Sequence, residues 1–207
     1  MSVKIKFMDK YHAESTRRNR TPILEVLKKE IEGSKKLLEI GSGTGQHAVY
    51  FSKKLPQILW QTSDRSINHE SINYWIKRYN LKNLLLPLDI EIGVNEKNIN
   101  DIFDCVFSSN TSHIMSLENV KRLFALVGKV LNKNGKFFLY GPFKINLEFT
   151  TKSNEDFHQK LKAENKLMGL RDIEELDNFA IENNMQNHAF YEMPANNYLS
   201  IWKKLPV

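Results

Sequence analysis

LLEIGSGTGQH, residues 37 to 47, is the stretch that decides the fold. Aliphatic residues surround Glu39, and glycines then occupy alternate positions at 41, 43 and 45 before a helical pattern begins. An apolar run, a glycine turn and a helix in this order are typical of the first strand and helix of a parallel α/β sheet. Glycine allows positive φ and has no Cβ, so the backbone N–H groups of the turn can lie close to a ligand. The sequence predicts a strand, a ligand-binding turn and a helix here.

The spacing of the glycines separates two ligand classes that such turns bind, dinucleotides and S-adenosylmethionine (SAM). A dinucleotide turn follows G-x-G-x-x-G, and counted from Gly41 its third glycine would fall at Gln46. The pattern present is E-x-G-x-G-x-G, which resembles motif I of class I methyltransferases. The turn therefore favours SAM, with an ordinary structural turn as the alternative.

Length and composition predict one globular domain over residues 1–207. Residues 1–34 are expected to form an N-terminal lid, through Arg18 and Asn19, and a helix before the sheet, with a basic surface patch as the alternative to the lid. Hydrophobic residues make up 41% and charged residues 26%, as in soluble globular proteins. The single cysteine, Cys105, excludes an intramolecular disulfide and fits a reducing compartment. The N-terminal residues contain no continuous apolar region typical of a signal peptide, so the expected location is cytoplasmic. The six histidines are scattered, so no metal site is predicted, and no apolar run predicts a membrane span.

The positive charge is concentrated at the N-terminal end of the chain. The net charge is +6, and residues 1–36 contain ten Lys/Arg against five Asp/Glu. A basic segment can attract nucleic acid or an acidic substrate, but it is more often solvated surface. Nucleic acid is therefore an unlikely partner on this reading, and the oligomeric state is left open.

Five predicted strands alternate with helices, and a hairpin follows them. The predicted strands lie at 36–41, 58–64, 83–90, 103–110 and 136–143, and the hairpin pairs 188–194 with 198–205. Helices are predicted from Thr21-Pro22 to Gly33, from the glycine turn to Pro56, from 117 to 131 with a left-handed stop at Asn134-Gly135, and from Asp172 onward. Residues 144–171 are polar and less regular. This alternation predicts a doubly wound, seven-stranded, mostly parallel sheet with an antiparallel last strand.

Polar residues stand where the predicted strands end, which is where ligands bind in open α/β sheets. Asp64 lies at the offset from the glycine turn at which a carboxylate can bind ribose hydroxyls, or it caps the next helix. Asp89 could accept from an adenine amino group beside the apolar Ile90, or be a solvated loop acid. Asn110 and His113 follow the fourth strand, where an acceptor substrate would lie.

Beyond these motifs, the chain is similar to the methyltransferase-like 26 family, also called domain of unknown function 938, from about residue 14 to residue 202. The matching segments cover nearly the whole chain rather than the glycine turn alone. They are Arg18-Asn19, Pro22-Ile23-Leu24, Leu38-Glu39-Ile40, Ser42 to His47, Trp60, Ser63-Asp64, His113-Ile114, Tyr140 to Phe143, Ser153-Asn154, Phe157, Gly169, Arg171-Asp172 and Glu192 to Asn197.

The resemblance implies a class I methyltransferase fold and SAM as cofactor, with S-adenosylhomocysteine (SAH) as product, and it leaves the acceptor open. Expected cofactor contacts are Arg18, Asn19, Glu39, Gly41, Ser42, Gly43, Gln46, His47, Asp64, Arg65, Asp89, Ile90 and Asn110. Expected substrate contacts are Phe143, Arg171, Glu192, Asn196 and Asn197. His113 and Tyr140 are the expected catalytic residues, His113 as a base and Tyr140 as a pocket wall.

Several of these roles have structural alternatives. His113 could be a hydrogen-bonded structural histidine, Arg171 could pair with Asp172 or Glu174, and the Asn196-Asn197 pair could only form a turn. Taken together, the sequence predicts a SAM-dependent methyltransferase with a small-molecule acceptor. The alternatives are an RNA or protein methyltransferase, a SAM-binding protein without turnover, and a nicotinamide-dependent oxidoreductase, which Gln46 disfavours.

Overall fold

The computed structural model describes residues 14–96 and 99–206. These residues divide into two compact units, one that extends to Ile90 and one that begins at Glu91. The elements of the first unit are α1 (Glu14–Glu30), β1 (Lys36–Ile40), α2 (Gln46–Lys54), β2 (Leu59–Asp64), a 3-10 turn (Ser66–Asn68), α3 (His69–Tyr79) and β3 (Leu84–Asp89).

The strands of the first unit are parallel and end at the same edge. Ile40 at the end of β1 lies opposite Ser63 of β2, and Asp64 lies opposite Asp89 at the end of β3. β3 is the outer strand, and its internal proline, Pro87, lies where the pairing with β2 shifts register, between the pair of Gln61 with Leu85 and the pair of Ser63 with Leu88. The register therefore brings the glycine turn, Asp64 and Asp89 to one edge of the sheet.

The second unit contains the remaining strands and helices in the order below. They are β4 (Phe103–Ser109), α4 (Leu117–Val130), β5 (Leu131–Gly141), β6 (Phe143–Ile145), β7 (Glu148–Phe149), α5 (Lys152–Glu164), β8 (Arg171–Asp172), α6 (Ile173–Glu182), β9 (Met185–Met193) and β10 (Asn197–Lys204). β4 and β5 are parallel, and β10 pairs antiparallel with both β5 and β9. β6, β7 and β8 form a separate small sheet.

The predicted fold class is confirmed. β1 to β5, β9 and β10 make a seven-stranded, mostly parallel sheet, and β10 is the antiparallel strand of the predicted terminal hairpin. A single domain over residues 1–207 stays a prediction, and residues 1–13 of the predicted N-terminal lid lie outside the described residues.

Two predicted helix boundaries are wrong. α1 begins at Glu14 rather than at Thr21-Pro22, and Pro22 lies inside the helix. Pro22 removes one backbone donor, but burial of Ile23, Leu24 and Leu27 on the same helix outweighs that loss. α4 ends at Val130, and the left-handed Asn134 (φ 64°) forms a bulge within β5 instead of stopping the helix.

Candidate functional site

The glycine turn between β1 and α2 is held against the end of β2. The N–H groups of Gly41 and Ser42 both donate to the Ser63 carbonyl, at 3.0 and 2.9 Å. Gly43 has φ 56°, and a Cβ on it would meet no heavy atom within 4 Å. A Cβ on Gly45 would lie 3.0 Å from the Ile72 Cα, so this glycine lets α3 pack closely. Hydrogen bonds to β2 therefore fix one side of the turn, and the space next to Gly43 is open.

The Asp64 carboxylate accepts hydrogen bonds from three groups at this edge of the first unit. Its Oδ2 accepts from the Gly43 N–H at 2.6 Å, and its Oδ1 accepts from the Arg65 N–H at 2.7 Å and the Asn68 side-chain amide at 2.8 Å. A carboxylate has about four acceptor positions, so three protein donors leave one position on Oδ2. Asp64 therefore holds the turn and keeps capacity for one more hydroxyl donor.

Glu39 lies beneath the same turn and is only 2% exposed. Its Oε2 accepts from the Ser42 hydroxyl and from the Trp60 indole N–H, both at 3.0 Å. Burial raises the pKa of Glu39 to about 7, because the two hydrogen bonds only partly offset the loss of solvation. The carboxyl group thus ties the turn to β2, and a direct contact with a ligand stays a prediction.

Asn19 and His47, both predicted cofactor contacts, bind each other. The His47 Nε2 lies 2.7 Å from the Asn19 Oδ1, and both side chains are buried. Burial, with a smaller contribution from the Arg20 charge, lowers the pKa of His47 to about 3, so the neutral ring donates to the amide oxygen. The ring also stacks on Phe51. This pair joins α1 to α2.

The other predicted cofactor contacts of the first unit differ in exposure. Asp89 is exposed next to Asp64, while Ile90 is buried and its N–H donates to the Asp64 carbonyl at 3.1 Å. The Arg18 and Arg65 side chains are exposed. Gln46 begins α2, and its Oε1 accepts from the Thr44 hydroxyl at 3.3 Å. The strand ends thus bring together the glycine turn, Asp64, Asp89 and Ile90.

In the second unit, His113 lies in the loop after β4 and is 5% exposed. Its Nδ1 has no hydrogen-bond partner among the described residues, and its ring meets the Phe157 ring edge-on at 5.3 Å. Burial and the nearby Arg171 charge lower the pKa of His113 to about 4. The imidazole is therefore neutral at pH 7, and its Nδ1 is a buried ring nitrogen that no described residue pairs with.

Arg171 fixes this loop through backbone carbonyls rather than through an ion pair. Its Nε donates to the Ser112 carbonyl at 3.1 Å, and its Nη2 donates to the carbonyls of Leu167, at 2.9 Å, and Met115. The Gly169 N–H donates to the His113 carbonyl at 2.9 Å. Arg171 thus holds both sides of the His113 segment, and its expected contact with a substrate stays a prediction.

Asn110, Tyr140 and Gly141 adjoin His113. The Asn110 N–H donates to the Tyr140 carbonyl at 2.8 Å, and Asn110 adopts the left-handed conformation with φ 59°. A Cβ on Gly141 would lie 3.7 Å from the His113 Nδ1 and 3.9 Å from the Asn110 Oδ1. Tyr140 and Phe143 are buried. The three positions 110, 113 and 141 therefore meet at one end of β4 and β5.

The predicted substrate residues near the hairpin are largely engaged in its turn. The Asn197 side-chain amide donates to the carbonyls of Pro194 and Ala195, at 3.2 and 3.0 Å. The Asn196 carbonyl accepts from the Asn154 amide, and Glu192 is exposed. These contacts show that both asparagines stabilise the hairpin turn. Their roles in substrate binding stay predictions.

Sequence reasoning gave no role to two residues that hold predicted site residues. Asn68 binds Asp64, and its position four residues after that acid at the start of a helix was the available signal. Phe157 packs on His113 from α5, a helix that the polar segment 144–171 did not predict. Their roles depend on tertiary contacts.

The described residues have the fold seen in solved methyltransferases. Comparison with known protein families assigns the chain to one of them. Residues 10–204 match the family described as Protein of unknown function (DUF938), and the chain belongs to this family. No helix among residues 14–96 and 99–206 is both long and apolar enough to cross a membrane.

Solved methyltransferases share this fold at low sequence identity. An O-methyltransferase family 2 protein from Planctomyces limnophilus DSM 3776, in complex with apigenin, has a TM-score of 0.81 and 14% identity over 99% of this chain and 62% of that one. An O-methyltransferase family protein from Burkholderia thailandensis has a TM-score of 0.78 and 11% identity, over 89% and 56%. The structure described as PigF with SAH has a TM-score of 0.74 and 10% identity, over 88% and 55%. The chain thus spans little more than half the length of these proteins.

Proposed function

We propose that the protein is a SAM-dependent methyltransferase that acts on a small-molecule acceptor. The observation that carries the proposal is the Asp64 carboxylate at the end of β2, which accepts from Gly43 in the adjacent glycine turn and keeps an acceptor position. A carboxylate so placed can take a ribose hydroxyl, and the open space over Gly43 admits a ligand against the backbone. The residues present therefore fit an adenosine-containing cofactor.

In this proposal, Asp64 binds the ribose, Asp89 accepts from the adenine amino group, and Ile90 packs against the ring. SAM, when bound, supplies a methyl group on a positively charged sulfur. Methyl transfer is an in-line displacement, so the protein aligns the acceptor, excludes water and stabilises the changing charge, with no covalent nucleophile of its own. Asn110 is proposed as a further cofactor contact at the end of β4.

His113 is the proposed base on the acceptor side. Its unpartnered Nδ1 can accept the acceptor's proton, because the low pKa keeps the imidazole neutral at physiological pH. A pKa of about 4 makes it a weak base, which suits an acceptor whose own proton becomes more acidic during transfer. Arg171 holds the loop that carries this ring, and Tyr140 and Phe143 are the proposed walls.

A small-molecule acceptor is favoured over RNA or protein. The fold neighbour bound to apigenin is an O-methyltransferase family 2 protein, and apigenin is a small aromatic molecule. The buried position of His113 suits an acceptor atom that reaches into the protein. Membership of the methyltransferase-like 26 group and a cytoplasmic location, which the single cysteine favours, are parts of the same proposal.

Calorimetric titration with SAM and SAH tests cofactor binding. In Asp64→Asn an NH2 group replaces one carboxylate oxygen. At the Oδ2 position it removes the acceptor of the Gly43 N–H and of the ribose hydroxyl, and at the Oδ1 position it removes the acceptor of Arg65 and Asn68 and distorts the site. Both ligands should bind roughly 10- to 100-fold more weakly to this variant. Asp156→Asn, which makes the same charge change on the exposed face of α5, should bind them as the wild type does. No binding of either ligand to the wild-type protein would reject the proposal.

Turnover is tested with methyl-labelled SAM and a metabolite extract, which reports activity and acceptor together. His113→Phe keeps a ring against Phe157 but removes the nitrogens, so it should reduce turnover by about 10²- to 10⁴-fold without weakening SAH binding. His188→Phe, at an exposed position of β9, is the matched control. Unchanged turnover in His113→Phe would remove His113 as the base, while SAH binding without any label transfer would favour a non-catalytic SAM-binding protein.

A further inference from the structure

The helices of the first unit line a concave surface. It is a groove of about 240 Å³ formed by α1, α2 and α3. We call it the helix groove, and it is lined by Arg20, Gln46, Val49, Tyr50, Lys53, Lys54, Trp75 and Tyr79. The α2 members recur at spacings of three and four residues, so they present one face of that helix. Only Gln46 is also a predicted cofactor contact.

Three positively charged side chains, Arg20, Lys53 and Lys54, line the helix groove, and no acidic side chain lies among its lining residues. Within the part of the chain that the structure describes, none of the three makes an ion pair with a carboxylate. Lys28 and Lys152, on the surfaces of α1 and α5, each pair with an acid three residues away. The charge in the groove is therefore available to an anionic ligand.

Aromatic rings make up the rest of the lining. The Arg20 guanidinium lies 4.5 Å from the centre of the Tyr50 ring, and the Thr21 hydroxyl lies 3.3 Å from the Tyr50 hydroxyl. These contacts restrain Arg20 over the ring and leave its N–H donors for an anion. Trp75 and Tyr79 lie with their rings 6.0 Å apart, and Tyr79 is 42% exposed. Trp75 is only 6% exposed, so Tyr79 supplies most of the exposed ring surface, beside the restrained charge of Arg20 and the exposed lysines.

We propose that the helix groove binds a small organic anion in which a planar ring carries a phosphate group. The phosphate would lie between Arg20 and the two lysines, where two negative charges meet three positive ones. The ring would lie against Trp75 and Tyr79. A groove of this volume holds one ring and one phosphate, whereas nucleic acid would need an extended row of cations and aromatic residues. Apart from Gln46, the groove lining shares no residue with the expected cofactor contacts, and the proposal does not depend on cofactor binding.

Calorimetric titration with phenyl phosphate tests the proposal, because this probe has the ring and the phosphate but no adenosine. Lys53→Gln combined with Lys54→Gln should weaken phenyl phosphate binding at least 10-fold, and Tyr79→Ala should weaken it about three-fold. Lys77→Gln is the matched control, since Lys77 is exposed on α3 outside the groove lining. Phenol and inorganic phosphate should each bind at least 10-fold more weakly than phenyl phosphate.

Two further measurements separate this groove from other sites. In the presence of saturating SAH, the affinity for phenyl phosphate should stay within two-fold of its value without SAH. Loss of phenyl phosphate binding when SAH is bound would overturn the proposal. If SAH does not bind at all, the proposed function fails while the groove test stands. The proposal would be overturned if the double lysine variant bound phenyl phosphate as tightly as the wild type does, or if the wild type bound inorganic phosphate as tightly as phenyl phosphate. It would also be overturned if single-stranded oligonucleotides bound more tightly with increasing length.

Discussion

The Glu39 carboxyl group lies where ionisation is unfavourable. It is buried under the glycine turn, and its pKa is raised from 4.5 to about 7. Between these two pH values the folded protein retains a proton that the unfolded chain has lost. Stability therefore decreases as the pH rises from 4.5 through 7, and the full loss, on the order of 3 kcal/mol, applies above pH 7.

Glu39→Gln should remove this pH dependence. The neutral amide can still accept from Trp60 and bind Ser42, so the variant should gain stability relative to the wild type as the pH rises from 5 to 8. Urea unfolding at both pH values measures the difference. Glu32→Gln, at an exposed position, should show no such change. A difference between Glu39→Gln and wild type that is the same at pH 5 and pH 8 would contradict the prediction.

At the scale of elements, a buried polar pair joins α1 to α2. His47 on α2 donates to Asn19 on α1 at 2.7 Å, and burial keeps the imidazole neutral. Removal of either side chain takes this hydrogen bond away from the other, which is buried, at a cost of about 1 to 3 kcal/mol. The pair therefore positions the N-terminal helix, whose Arg20 lines the helix groove.

A double-mutant cycle of Asn19→Ala and His47→Phe should measure this coupling. His47→Phe keeps the ring that stacks on Phe51, so it removes mainly the hydrogen bond. The double variant should be less destabilised than the sum of the single variants by about 1 kcal/mol in urea unfolding. The exposed pair of Glu25 and Lys28 on α1 should show coupling within experimental error. Additive effects at Asn19 and His47 would show that the pair does not couple the helices.

Elements with strong local patterns could be predicted from the sequence. β1, the glycine turn and α2 combine an apolar run, alternating glycines and a helical period, and the hairpin of β9 and β10 combines two alternating runs with a short turn. Asp64 could be placed by its offset from the turn. In each case neighbouring residues alone determine the backbone conformation.

The elements that were missed depend on distant partners. The turn between β6 and β7 places Leu147 at φ 67°, which is unfavourable for leucine. The Leu147 N–H donates to the Asp172 carboxylate at 2.6 Å, and the Asn146 N–H donates to Glu174 at 3.0 Å. These acids lie 25 and 28 residues away, so no local pattern predicts the turn. The same holds for Arg171, whose partners on the His113 loop are 56 and 59 residues distant.

At the scale of the whole molecule, the proposed cofactor contacts come from strand ends that are far apart in sequence. The glycine turn, Asp64 and Asp89 follow β1, β2 and β3, and the register of the parallel strands aligns them. Unfolding separates these residues, so a ligand that needs all of them binds only the folded protein. Such a ligand stabilises the folded state by mass action.

SAH at 100 times its dissociation constant should therefore raise the free energy of unfolding by about 2.7 kcal/mol. For a chain of this length that corresponds to an increase in Tm of roughly 5 to 11 °C. Differential scanning fluorimetry across a range of SAH concentrations measures the shift, which should rise with the logarithm of concentration above saturation. Asp64→Asn should need roughly 10- to 100-fold more SAH for the same shift, because the ribose contact is lost. A Tm that does not change with SAH while phenyl phosphate still raises it would reject the cofactor proposal and leave the helix groove as the ligand site of the first unit.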